Sequence, residues 1–176
     1  MLLNPVDSLP RVDISVPVSK LLPKLSDGNW KVRKEGLDGL ELLLTQSNNR
    51  IKIDYDLITA LKTRINDPNK SLAKGFLTFS GRFVVACGKD IKPHCKAMLA
   101  SVIGNLSDKQ NLVRNEANIA IEKFSSIVGK DSIINSMQEF LNNESIEMKI
   151  NILSYIIGNL EDFKKSELKG YIGPIL

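Results

Sequence analysis

One short pattern recurs along the chain and limits what it can fold into. Leu25-Ser26-Asp27, Ile65-Asn66-Asp67 and Leu106-Ser107-Asp108 align without gaps, and Leu141-Asn142-Asn143 is a looser fourth copy. The intervals from Asp27 to Asp67, to Asp108 and to Asn143 are 40, 41 and 35 residues. Five positions after each comes an apolar residue, Val32, Leu72, Val113 or Met148, followed by Arg33, Ala73, Arg114 or Lys149. Each copy ends a short apolar stripe and opens a long one. The long stripes include Leu72, Phe76, Phe79, Phe83 and Ala86/Cys87, then Val113, Ala117, Ala120/Ile121 and Phe124, then Ile146, Ile150, Leu153, Ile157 and Leu160. This i, i+3/i+4, i+7 spacing puts the apolar residues on one face of a helix.

A period of about 40 residues carrying two helices is the HEAT or armadillo pattern. No segment after Ser15 alternates with period two long enough to make a strand. The expected fold is all-α: a HEAT-repeat solenoid of antiparallel helix pairs, four complete pairs ending near Leu160 and a partial fifth from Phe163. Such pairs bury their apolar stripes only against neighbours, so the array behaves as one cooperative body. Residues 1–13 read as an extended linker, and 14–176 as the domain, expected to be one of several in a longer protein. The segment 163–176 carries Leu168, Tyr171, Ile172, Ile175 and Leu176 but also Gly170, Gly173 and Pro174, and reads as a truncated or shortened last repeat. Punctuation fits the helices. Asp67-Pro68 is expected to be an N-cap with proline at the first helical position. Gly88 and Gly129 are expected just past helix ends, with Pro93 and Asp131-Ser132 opening new helices.

Composition excludes several functions. The 176 residues include one histidine, His94, and two cysteines, Cys87 and Cys95. A structural zinc site needs about four ligands, and no second pair joins His94 and Cys95. Two cysteines make no disulfide framework, so a reducing compartment is the default. No phosphate-binding loop, H-E-x-x-H or G-x-S-x-G motif is present, so neither an enzyme nor a cofactor is expected. No apolar run approaches the roughly 20 residues of a membrane helix, and the N-terminus lacks the features of a signal peptide. The net charge of +4 is small, and no nucleic-acid-binding motif accompanies it. The expected partner is therefore a protein, with neither nucleic acid nor membrane, and the isolated domain is expected to be monomeric.

In a helix-pair solenoid the turns within repeats share one edge. Here they carry Trp30, Lys31, Arg33 and Lys34, then Asn69 and Lys70, then Lys109 and Arg114, then Lys149. With helices about 8–10 Å apart, this makes a ridge, basic in three of its four turns, that holds the only tryptophan. Aromatics beside Arg or Lys are typical interface anchors. The bland readings are also physical. An Asp with a basic residue six positions later suits a ladder of bonds between neighbouring repeats, which Arg33 and Arg114 can both serve. Trp30 can tuck under its turn as a packing cap, and each lysine can simply be solvated. Cys87 lies on its apolar stripe, as a buried thiol would.

At Asn29-Trp30-Lys31-Val32-Arg33-Lys34-Glu35-Gly36-Leu37 the chain resembles the first HEAT repeat of a TOG domain, the tubulin-binding module of the microtubule polymerases and the related CLASP proteins. Leu9-Pro10-Arg11-Val12-Asp13-Ile14-Ser15 is similar to the linker leading into the fourth TOG domain of the polymerases, and Ala60–Lys70 and Leu106–Ala117 also resemble that domain. The resemblance implies that the turn edge grips αβ-tubulin, free or in the microtubule lattice, with Trp30 against β-tubulin. It implies a cytoplasmic, cytoskeletal place at microtubules, spindle or centrosome. Two departures stand out: Lys70 follows Asn69 where strong binders often carry an apolar residue, and Glu144 and Glu147 dilute the basic fourth turn. A full domain of the family carries further repeats that contact α-tubulin. The reading from another class is a general HEAT scaffold with no tubulin role.

Overall fold

A computed structural model describes residues 10–141 and 145–159. The helices are α1 (Ser15–Leu25), α2 (Trp30–Gln46), α3 (Tyr55–Arg64), α4 (Lys70–Cys87), α5 (Cys95–Gly104), α6 (Asn111–Val128), α7 (Lys130–Gln138) and α8 (Ile146–Gly158). They follow in short–long order, as the repeat requires. The short helices α1, α3, α5 and α7 pack side by side in one layer, and the long helices α2, α4 and α6 in the other. Helix α8 packs on the 3-10 turn Asn105–Ser107 that ends α5. The partial fifth repeat expected from Phe163 lies outside the described residues.

Why α4 is so apolar follows from its central place. It contacts α2 on one side and α6 on the other, and Phe76, Phe79 and Phe83 are buried between them. Leu40 and Leu44 of α2, Leu57 and Leu61 of α3, and Phe124 of α6 continue the same core. Burying each such side chain is worth roughly 1.5–3 kcal/mol, which is why no single repeat stands alone. A polar link crosses the α2–α4 seam where Arg82 donates to Glu41.

Among the described residues the only β feature is an isolated bridge between Val12 and Ile51. Beside it Arg11 donates to the Ala86 carbonyl and faces Asp90 at 3.7 Å. The Arg11 guanidinium lies over Gly88, whose φ is +65°; a Cβ there would collide with it. Gly88 and Gly129 both take positive φ just past α4 and α6, as expected of residues that stop a helix.

Three helix starts differ from expectation. The N-cap of α4 is Asn69, not Asp67, and Pro68 lies outside the helix. The Asp67 carboxylate is committed elsewhere, as described below. Helix α7 opens at Lys130 after Gly129 with no side-chain cap, one residue ahead of the Asp131-Ser132 pair. Pro93 sits in the 3-10 turn Gly88–His94, and α5 begins at Cys95.

Candidate functional site

The first turn is locked by short-range polar chemistry. The Asp27 carboxylate accepts from the Asn29 amide at 2.6 Å, and the Asn29 side chain caps α2 by accepting from the Lys31 amide at 3.0 Å. Arg33 Nη1 reaches back to donate to the Asp27 and Gly28 carbonyls at 2.9 and 3.0 Å. Trp30 is thereby fixed as the first residue of α2, and it remains 46% exposed. Lys31 and Lys34 are exposed on the same turn; Lys34 pairs with Asp38 at 2.6 Å.

The remaining nitrogens of Arg33 join the first repeat to the second. Nε and Nη2 donate to the two Asp67 carboxylate oxygens at 2.7 and 2.9 Å. Arg64 Nη1 adds a third bond at 3.0 Å and the Asn69 amide a fourth at 2.9 Å. Arg33 is 5% exposed and Asp67 fully buried. Burial pushes the Asp67 carboxyl upward, but the Arg33 bonds, the Asn69 amide and the charges of Arg33 and Arg64 together hold it below its ordinary value. The bond to Asp67 raises Arg33. A buried carboxylate with its lone pairs filled this way is a structural fixture.

At the second turn the residue matching Arg33 is Ala73, which has no charge to send across. Lys70 takes over: its Nζ meets Asp108 of the third repeat at 2.6 Å, with the Asp108 side chain only 8% exposed. Burial acts upward on Asp108 too, and the Lys70 bond, the Gln110 amide and the charges of Lys70 and Arg114 outweigh it. Asn69 caps α4, accepting from the Ser71 and Leu72 amides at 3.0 and 3.2 Å. Asn105 strengthens the same seam, donating to Asn66 Oδ1 at 3.0 Å.

The third turn repeats the design of the first. Asp108 accepts from the Gln110 amide at 2.9 Å, and Arg114 Nη1 donates to the Asp108 and Lys109 carbonyls at 2.6 and 3.1 Å. Among the described residues Arg114 makes no bond to a neighbouring repeat. Lys109 is exposed. At the fourth turn Ser145 caps α8, Lys149 is exposed, and Asn151 ties α8 to the third repeat through the Leu106 carbonyl at 3.1 Å.

The fold thus divides the sequence-predicted residues. Trp30, Lys31, Lys34, Lys109 and Lys149 present surface, whereas Arg33, Asn69, Lys70 and Arg114 have their polar groups engaged in holding the turns. Leu112, at 56% exposure on the ridge, went unread, and the stripe of the fourth repeat is corrected: Ile146, Ile150 and Ile157 are 69%, 57% and 64% exposed, because α8 turns Met148, Ile152, Tyr155 and Ile156 to the core instead. For Ile146 the signal was register, since it stands three residues after Asn143 as Trp30 does after Asp27; Leu112 stands four after Asp108, where the first turn has Lys31. Among the described residues no cluster of His, Cys, Asp and Glu is placed to hold a metal. Burial pushes the Cys87 and Cys95 thiols up to about 12 and about 11.

Comparison with known proteins places this geometry in context. No protein-family model matches the chain. Centrosomal protein 224 of Dictyostelium discoideum is 28% identical over 173 residues, 94% of this chain, and the mini spindles protein of Drosophila melanogaster 31% over 123 residues, 69% of it. The chain spans only 8% and 6% of the length of those relatives. A solved structure from work on microtubule plus end tracking by XMAP215, CLIP-170 and EB1 superposes with a TM-score of 0.77 at 26% identity, covering 93% of this chain and 71% of that one. A structure from the TOG domain array of Crescerin shares the fold, with a TM-score of 0.66 at 16% identity, over 85% of this chain and 62% of that one.

Proposed function

Because the chain is a TOG domain of the microtubule polymerase family, we propose that its turn ridge grips αβ-tubulin and promotes microtubule growth by binding alone. The observation that carries this reading is Trp30, half-exposed on a turn that Asp27, Asn29 and Arg33 hold rigid. An exposed aromatic on a preorganised turn loses little freedom on binding, which is how such residues become anchors. Lys31 beside it and Lys109 and Lys149 further along the edge steer an acidic partner, with Lys34 sharing its charge with Asp38. Arg33, Asn69, Lys70 and Arg114 act at one remove, by fixing the turns. A buried Trp30 would have favoured a general scaffold; its exposure favours tubulin.

In this reading the domain is a binding module and not an enzyme, uses no cofactor, and works as a monomer with neither nucleic acid nor membrane. It corresponds to the fourth such module of a longer polymerase acting at microtubules, spindle and centrosome. Size-exclusion chromatography with free tubulin at low salt tests the reading. Co-elution that Trp30→Ala abolishes supports it. Separate elution of the wild-type chain and tubulin at micromolar concentrations refutes it.

A further inference from the structure

We infer that Leu112 is a second anchor of the ridge, inserted into an apolar pocket of the same acidic protein surface that Trp30 contacts; this rests on the tubulin reading above. The first and third turns are built alike. In each, an Asp carboxylate accepts the amide two residues on, at 2.6 Å in one and 2.9 Å in the other. In each, the Arg six residues on donates one Nη to the carbonyls of the Asp and its successor. Each module then presents one exposed large apolar side chain at the start of its long helix: Trp30, the first residue of α2, and Leu112, the second residue of α6, one position past the match to Trp30.

The second turn, between them, presents none. Lys70 is bent across to Asp108, and the buried Leu72 and Ala73 follow it. That same Lys70–Asp108 pair fixes the third turn to the second. Two helix spacings of about 8–10 Å separate the anchors, so Trp30 and Leu112 stand roughly 16–20 Å apart along the ridge, with Lys31 beside one and Lys109 beside the other; Ile146 follows at the fourth turn. Leu112 is 56% exposed directly before the fully buried Val113. Its exposure is therefore imposed by helix phase and is not a frayed end. The partner is one face of tubulin, because both anchors stand on one edge, each with an exposed lysine beside it, Lys31 at one and Lys109 at the other.

The competing assignment is to the outer face of α6, where Ile119 is 53% exposed one heptad further on. The test uses the full chain, free tubulin, sedimentation equilibrium and thermal melts. Leu112→Asp adds a carboxylate near a helix N-terminus, where it suits the backbone, so folding is preserved while the apolar contact is lost. Affinity should fall at least about tenfold, as for a hot-spot residue, and Leu112→Ala should cost about three- to tenfold. Ile119→Asp should stay within about twofold, as surface changes usually do. If Trp30→Ala loses binding while Leu112→Asp and Leu112→Ala keep it, the second anchor is overturned and the tubulin reading stands. An equal loss for Ile119→Asp moves the contact to the helix face and also overturns the inference. If the wild-type chain does not bind at all, both readings fall.

Discussion

Asp67→Ala should be among the most damaging single changes in the domain. The carboxylate is fully buried and accepts four hydrogen bonds, two from Arg33, one from Arg64 and one from the Asn69 amide. Its removal leaves the Arg33 guanidinium, 5% exposed, as an uncompensated charge in the seam between the first two repeats. Removing one partner of a buried pair costs about 3–5 kcal/mol. At roughly 2–4 °C per kcal/mol for a chain of this size, the melting temperature should fall by about 6–20 °C. Asp67→Asn keeps the shape and one acceptor oxygen and should lose less. The pH dependence has a definite sign. The Asp67 pKa is depressed in the folded state, so its contribution is complete above the unfolded carboxylate value near 3.9 and disappears as pH falls through the lower folded value. The stability advantage of wild type over Asp67→Asn should therefore be constant from about pH 5 to 7 and shrink only in the acid range. Urea melts of the three proteins across this range make the measurement. An Asp67→Ala cost below about 1 kcal/mol would refute the argument that the pair locks the seam.

Other expected outcomes follow from the same geometry. Trp30→Ala should weaken tubulin binding by about 2 kcal/mol or more, roughly thirtyfold, with melting temperature unchanged; a lower melting temperature with intact affinity would make Trp30 a packing cap. Raising ionic strength from about 0.05 to about 0.3 M should weaken wild-type binding, because the lysines beside Trp30 are exposed and screened, and titration at several salt concentrations measures this. Lys70→Met should cost about 0.5–1 kcal/mol in a urea melt, since Lys70 is 40% exposed and its pair with Asp108 is only partly shielded. Cys87 and Cys95, raised to about 12 and about 11, should resist iodoacetamide at pH 8 in the native state and react only on unfolding, as mass spectrometry would report.

The helix pairs were legible because apolar spacing mostly records burial: Phe76, Phe79 and Phe83 lie inside as their stripe predicted, whereas in α8, apolar on more than one face, the stripe of Ile146, Ile150 and Ile157 is the exposed one. The ladder at Arg33 was legible too, because Asp67 and Arg33 recur at fixed offsets. What sequence could not display was which charges are engaged. Lys70 looked like any surface lysine, and only the substitution of Ala73 at the Arg33 position hints that another residue must bridge to Asp108. Asp67 looked like an N-cap before Pro68, yet Arg33 and Arg64 claim its carboxylate and leave capping to Asn69. Such competition between partners is decided in three dimensions. Leu112 stands directly before the buried Val113, so sequence alone does not separate it from the core residues of its stripe.

The central claim, that one edge of turns is the binding surface, is tested most directly by hydrogen exchange of the chain with and without free tubulin. Added tubulin should slow amide exchange at residues 27–34 and 108–114 and leave the outer faces of α3 and α5 unchanged. Slowed exchange confined to the short-helix layer, or none at saturating tubulin, would contradict it.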